Sequence, residues 1–130
     1  MTQSVLVADD EPSILLSLQF MLRKAGFEVR LARTGEEVLE AVAQSAPDLI
    51  LLDAMMPKRD GFDVCQTIRA NPEHRDLPII MLTAKSRDVE RQKGMAMGAT
   101  DYVTKPFSTR DLVETVRKHL ATASTPVLER

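Results

Sequence analysis

The stretch from Asp48 to Gly61, Asp-Leu-Ile-Leu-Leu-Asp-Ala-Met-Met-Pro-Lys-Arg-Asp-Gly, leaves few folds open to this chain. Leu49 to Leu52 run without a break into a lone carboxylate at Asp53, and Pro57 and Gly61 then turn the chain. An unbroken apolar run between turn residues fits a strand buried on both faces, so a layer must cover each side of its sheet. A carboxylate at the end of such a strand stands where open α/β sheets bind ligands, the crevice beyond the carboxyl ends. Asp53 alone could equally open a loop, as Asp often does. The other strand ends decide its meaning.

Ser4 to Ala8 is a second short apolar run, and it ends in Asp9, Asp10 and Glu11. Pro12 suits the first turn of a helix, with Asp10 or Ser13 as its cap. Ile14, Leu15, Leu18, Met21 and Leu22 form one apolar stripe, and Gly26 stops it. Phe27, Val29 and Leu31 alternate with Glu28 and Arg30, predicting a strand with one wetter face. Thr34 and Glu37 have the spacing of a capping box for a second helix, which carries Val38, Leu39, Val42 and Ala43 and ends before Pro47. A third helix places Phe62, Cys65 and Ile68 on one face and ends at Asn71-Pro72. Pro78 to Thr83 is another fully apolar strand with one polar residue at its end. A helix from about Asp88 to Met97 stops at Gly98, and Thr100 to Thr104 make a short strand. Ser108 or Thr109 caps a last helix carrying Leu112, Val116 and Leu120.

Five strands alternating with five helices specify an α/β domain, a doubly wound parallel sheet of flavodoxin-like type. The apolar strands one, three and four belong at the centre and strands two and five at the edges, giving the order 2-1-3-4-5. A chain of 130 residues suffices for one such domain, here residues 1–121, with 122–130 as a tail or linker stump. The formal net charge of −2 argues against a general nucleic-acid surface. Cys65 is the sole cysteine and cannot form an internal disulfide. No apolar run approaches the ~20 residues of a membrane span, and the start lacks a signal-peptide pattern. These features lead us to expect a cytoplasmic protein.

In a parallel sheet all carboxyl ends lie on one side. Strand one then delivers Asp9 and Asp10, strand three Asp53 and strand four Thr83, while Lys105 follows strand five. Three neighbouring carboxylates repel one another unless a cation joins them. An all-oxygen set without Cys or His suits Mg²⁺ better than zinc. His74 and His119 fall in a loop and a late helix and are read as surface or structural groups. A metal facing a lysine and a hydroxyl suits phosphoryl transfer, with Asp53 as nucleophile, Lys105 neutralising phosphoryl oxygens and Thr83 donating to one of them.

These pieces together resemble the receiver domain of response regulators, over Ser4 to Leu120. The matching pieces are Asp9-Asp10, Asp53 within Leu-Leu-Asp-Ala-Met-Met-Pro-Lys-Arg-Asp-Gly, Thr83-Ala84, Gly98-Ala99-Thr100-Asp101-Tyr102, and Lys105-Pro106-Phe107. The resemblance implies that Asp53 accepts phosphate from a histidine kinase or histidine phosphotransfer protein, and that a downstream effector domain or protein reads the result. It implies Mg²⁺ held by Asp10, Asp53 and the Met55 carbonyl, with Asp9 acting mainly through water. It implies a cis Lys105–Pro106 bond. It also implies a switch in which Thr83 moves toward the phosphoryl group, Tyr102 turns inward, and the surface of the fourth helix, fifth strand and last helix changes.

Met55 and Lys85 occupy the two places that the family varies near the phosphate. Apolar Met55 offers an attacking water no hydrogen bond, so no special acceleration of dephosphorylation is expected. Leu16 and Phe20, off the buried stripe of the first helix, form a candidate docking patch for a kinase helical bundle. Arg91, Asp101 and Asp111 resemble the charges with which DNA-binding regulators dimerise, but Thr100 and Thr115 depart from that pattern, leaving phosphorylation-dependent dimerisation open. A Mg²⁺-dependent aspartyl-phosphate phosphatase would need an acid where Met55 stands. A flavodoxin-like cofactor module would need a Ser/Thr/Gly-rich loop where Asp-Asp-Glu-Pro stands. A receiver-like module that is never phosphorylated would typically lack one of the five site residues.

Overall fold

The computed structural model describes residues 2–56, 59–83, 92–93 and 95–124. Its strands are β1 (Ser4–Ala8), β2 (Glu28–Ala32), β3 (Leu49–Asp53), β4 (Ile79–Thr83) and β5 (Asp101–Thr104). They form one parallel sheet in the order β2-β1-β3-β4-β5. Among the described residues the longer helices are α1 (Pro12–Lys24), α2 (Gly35–Gln44), α3 (Gly61–Arg69) and the last helix (Thr109–Ser124), with a short 3₁₀ turn at Pro72–His74. Residues 84–91, which include Ala84, Lys85 and the first part of the fourth helix expected at Asp88–Met97, lie outside the described residues. Residues 92–93 and 95–96 are helical and lead to Gly98 at φ +103°.

Alternation along the three central strands builds two cores. Leu6, Ile50, Leu52, Ile79 and Met81 face α2 and α3, meeting Val38, Phe62, Cys65 and Ile68. Val5, Val7, Leu49, Leu51, Ile80 and Leu82 face α1 and the last helix, meeting Leu15, Leu18, Leu22, Leu112, Val116 and Leu120. Burial on both faces is the reason β1, β3 and β4 are apolar except at one end and occupy the centre. No helix of the described residues is long and apolar enough to cross a membrane.

The helix ends show where local reading holds and where it fails. Thr34 caps α2 by accepting from the Glu37 amide, while the Glu37 carboxylate reaches back to the Arg33 amide, a capping box shifted outward by one residue. Asp60 caps α3 through the Asp63 amide, and Ser108 accepts from the Asp111 amide at the last helix. Neither Asp10 nor Ser13 caps α1. Its N-cap is Glu11, which makes no side-chain cap bond. The neighbouring Asp9 carboxylate instead accepts from the Glu11 amide, two residues on. Leu31 is a second departure: it is exposed, because β2 is an edge strand and this end of it lies beside the start of α1, next to Leu15 and Leu16. The last helix runs to Ser124.

At the amino-terminal end of the sheet, Arg69 joins α3 to the chain entering β5. It donates to the carbonyls of Gly98 (2.7 Å) and His74 (2.8 Å) and to Thr100 Oγ1 (3.1 Å). The same Thr100 oxygen accepts from the Ile79 amide that opens β4. Arg69→Met removes these charge-assisted bonds and is expected to cost about 2 kcal/mol of stability. Chemical denaturation checks this; an unchanged midpoint would show that water replaces the guanidinium without loss.

Candidate functional site at the carboxyl ends of the strands

Backbone bonds lock the strand ends beside one another. Asp9 N donates to the Ala32 carbonyl, Ala54 N to Leu82, and Lys105 N to Thr83. Asp53 continues the Leu49 and Leu51 row, and Asp9 the Val5 and Val7 row, so both carboxylates face the α1 side of the crevice. Asp9 is 0% exposed and Asp53 5%, whereas Asp10, one residue out of phase, is exposed. Carboxylate oxygens of all three lie within 4.8 Å of one another. Lys105 Nζ stands 2.9 Å from Asp9 Oδ2 and 3.4 Å from Asp53 Oδ1, and the Lys105–Pro106 bond is cis as expected. Thr83 is buried at the end of β4.

Met55 stands two residues after Asp53. Its amide donates to Asp53 Oδ1 at 3.2 Å, and its side chain is 65% exposed. Tyr102 is half-buried on β5 against the core layer containing Phe62 and Met81. Away from the site, His119 Nε2 lies 2.8 Å from Asp101 Oδ2, so that carboxylate is engaged within the fold. Arg91 lies outside the described residues. The distinct place of Asp9, the buried partner of Lys105, was missed in reading the sequence. Its signal is the alternation of β1, which turns Asp9 inward and Asp10 outward.

The electrostatics follow from this packing. Burial first, and then the charge of Asp9, push the Asp53 carboxyl above its ordinary 3.8; Lys105 and the Met55 amide pull it back only in part. Burial acts to lower the Lys105 ammonium, but its hydrogen bond to Asp9 and the nearby Asp53 outweigh that and raise it. Three carboxylates against one ammonium leave a formal excess of two negative charges. A hard divalent cation matches that charge and the all-oxygen donor set. The residues therefore fit Mg²⁺.

A model of the response regulator receiver domain matches residues 5–117. This chain belongs to that family. Solved structures agree in fold across nearly the whole domain. A protein from Chloroflexus aurantiacus assigned as a response regulator is 37% identical, with 93% of this chain and 99% of that one covered and a TM-score of 0.89. The chemotaxis response regulator CheY4 of Vibrio cholerae is 33% identical, with 92% and 99% covered and a TM-score of 0.88. The signal receiver domain of a signal transduction histidine kinase from Syntrophus aciditrophicus is 27% identical, with 99% and 98% covered and a TM-score of 0.89. Receivers of this shape thus occur in regulators and in kinases alike.

The crowding of carboxylates in this receiver predicts that Asp53→Asn melts a few degrees higher than wild type in chelator. The sign is fixed by the raised pKa. The folded state holds the Asp53 proton more tightly than the unfolded chain, so this group favours folding most below 3.8 and less as pH rises through its folded value. The advantage of Asn should open over that window and persist at neutral pH. Thermal melts at acidic and neutral pH check it; equal midpoints at neutral pH would remove the crowding argument.

Proposed function

We propose that this receiver is the phosphoacceptor of a two-component or phosphorelay system, with Asp53 as the residue phosphorylated. The observation that carries the reading is the meeting of Asp9, Asp10, Asp53 and Lys105 at adjacent strand ends, with formal charge for one divalent cation. Mg²⁺ held by Asp10, Asp53 and the Met55 carbonyl, with Asp9 acting through water, would screen the incoming phosphoryl oxygens. An Asp53 carboxylate oxygen attacks phosphorus, the P–N bond of a donor phosphohistidine breaks, and the imidazole leaves with the electron pair. Lys105 then transfers its attraction from the carboxylates to the phosphoryl oxygens, and the Thr83 hydroxyl donates to one of them.

The switch follows from the same chemistry. A phosphoryl dianion on Asp53 draws Thr83 toward it, and Tyr102, half-buried on β5, turns into the space released. The surface around β5 and the last helix then changes for an effector domain or protein. The donor is a histidine kinase or phosphotransfer protein, and α1 offers it Leu16 and Phe20, 61% and 67% exposed. Leu16 and Phe20 line a shallow groove with Gln19, Arg23 and Lys24, while another flank of α1 lines a separate groove of about 540 Å³ that includes Ile14, Met21, Lys105 and Phe107. Exposed apolar side chains four residues apart on one helix suit a helical partner. The Met55 side chain, lacking a proton donor, favours an acceptor over a hydrolase.

Acetyl phosphate with Mg²⁺ should add one phosphoryl group to the wild-type chain, with acetate leaving as the P–O bond breaks. Intact-mass measurement should find none in Asp53→Ala and none in chelator. Labelling that survives Asp53→Ala, or a wild type that stays unlabelled, would contradict the assignment.

A further inference from the structure

After β3 the described chain runs to Met55 and Met56, and residues 59–61 stand again beside the end of β3. Backbone joins the two limbs: the Gly61 amide donates to the Ala54 carbonyl at 2.9 Å. A Cβ at Gly61 would overlap the Asp53 carbonyl, so the two limbs touch there. A further fastening lies on the returning limb. Arg59 Nε donates to Asp63 Oδ2 at 2.6 Å and Nη2 to Thr67 Oγ1 at 2.8 Å, both on α3. Its Nη1 reaches Glu36 Oε2, on the first turn of α2, at 3.5 Å. Thr67 spends its own proton on the Asp63 carbonyl, which leaves its oxygen aimed to accept from Arg59. A planar guanidinium with acceptors on two helices fixes orientation as well as position, which the point charge of a lysine would not.

We propose that Arg59 is a positioning residue for the divalent-cation site, holding the β3–α3 loop so that the Met55 carbonyl stands ready as a ligand. This rests on the cation reading of Asp9, Asp10, Asp53 and Met55 given above. Arg59 bonds to α2 and α3, and its effect reaches the site through Asp60, Gly61 and the Gly61–Ala54 bond beside Met55. A neutral carbonyl contributes to cation binding only when it is well placed, and groups that orient metal ligands commonly change affinity ~10–100-fold.

Calorimetric Mg²⁺ titration of the full chain, with amide hydrogen exchange of the metal-free protein, tests the clamp. Arg59→Gln should bind Mg²⁺ about 10-fold more weakly and exchange the Gly61 amide faster. Arg59→Lys should recover only part of the affinity. Arg69→Met, at the far end of the sheet, should lose stability yet keep wild-type Mg²⁺ affinity. Unchanged affinity in Arg59→Gln, or an equal loss in Arg69→Met, overturns the clamp while leaving the cation reading intact. A wild type that takes up no Mg²⁺ overturns the cation reading and the clamp with it.

Discussion

The Lys105 ammonium, 2.9 Å from Asp9 and 3.4 Å from Asp53, is the counter-charge that lets two buried carboxylates share one crevice. Without it two buried carboxylates would face each other uncompensated, and an uncompensated buried charge costs several kcal/mol. With it the balance is still incomplete. Asp10 adds a third negative charge at the rim, and Asp53 retains a raised carboxyl pKa. The resting site is thus held short of neutrality. A divalent cation would complete it, and a phosphoryl group would compete for the same lysine.

Such a site needs a scaffold that resists the repulsion. The sheet provides it because β1, β3 and β4 are buried on both faces, so their ends are fixed by packing as well as by the ladder. Short backbone bonds from Ala54 to Leu82 and from Lys105 to Thr83 carry that rigidity beyond the strands. The chain's more accessible features are exposed Met55, the half-buried β5 edge with Tyr102, and the apolar flank of α1. Charge is concentrated where the strands are packed on both faces, and the accessible side chains lie apart from it.

Sequence reasoning reached the sheet order because two-sided burial leaves a mark that alternation and length make readable. Leu49–Leu52 and Ile79–Leu82 could belong to nothing but central strands. It reached the site because parallel strands bring their acidic and polar ends to one side. It failed where a residue's partner is distant or the choice is local and close in energy. Asp10 and Ser13 have good capping chemistry, yet Asp9 takes the Glu11 amide, because Lys105, ninety-six positions on, holds its other oxygen. Nothing local in the sequence singles out Arg59 or Arg69; only the folded arrangement brings Glu36 to one and Gly98 to the other. Leu31 obeys the alternation, but an edge strand leaves its apolar row partly uncovered.

The central claim is that the excess negative charge at the strand ends is a cation site built around Asp53. Thermal melting of wild type and Asp53→Asn, each with and without Mg²⁺, tests it most directly. Because a ligand stabilises the state that binds it, Mg²⁺ should raise the wild-type midpoint and raise that of the Asn variant much less. An equal response in both proteins, or none in the wild type, would contradict the account.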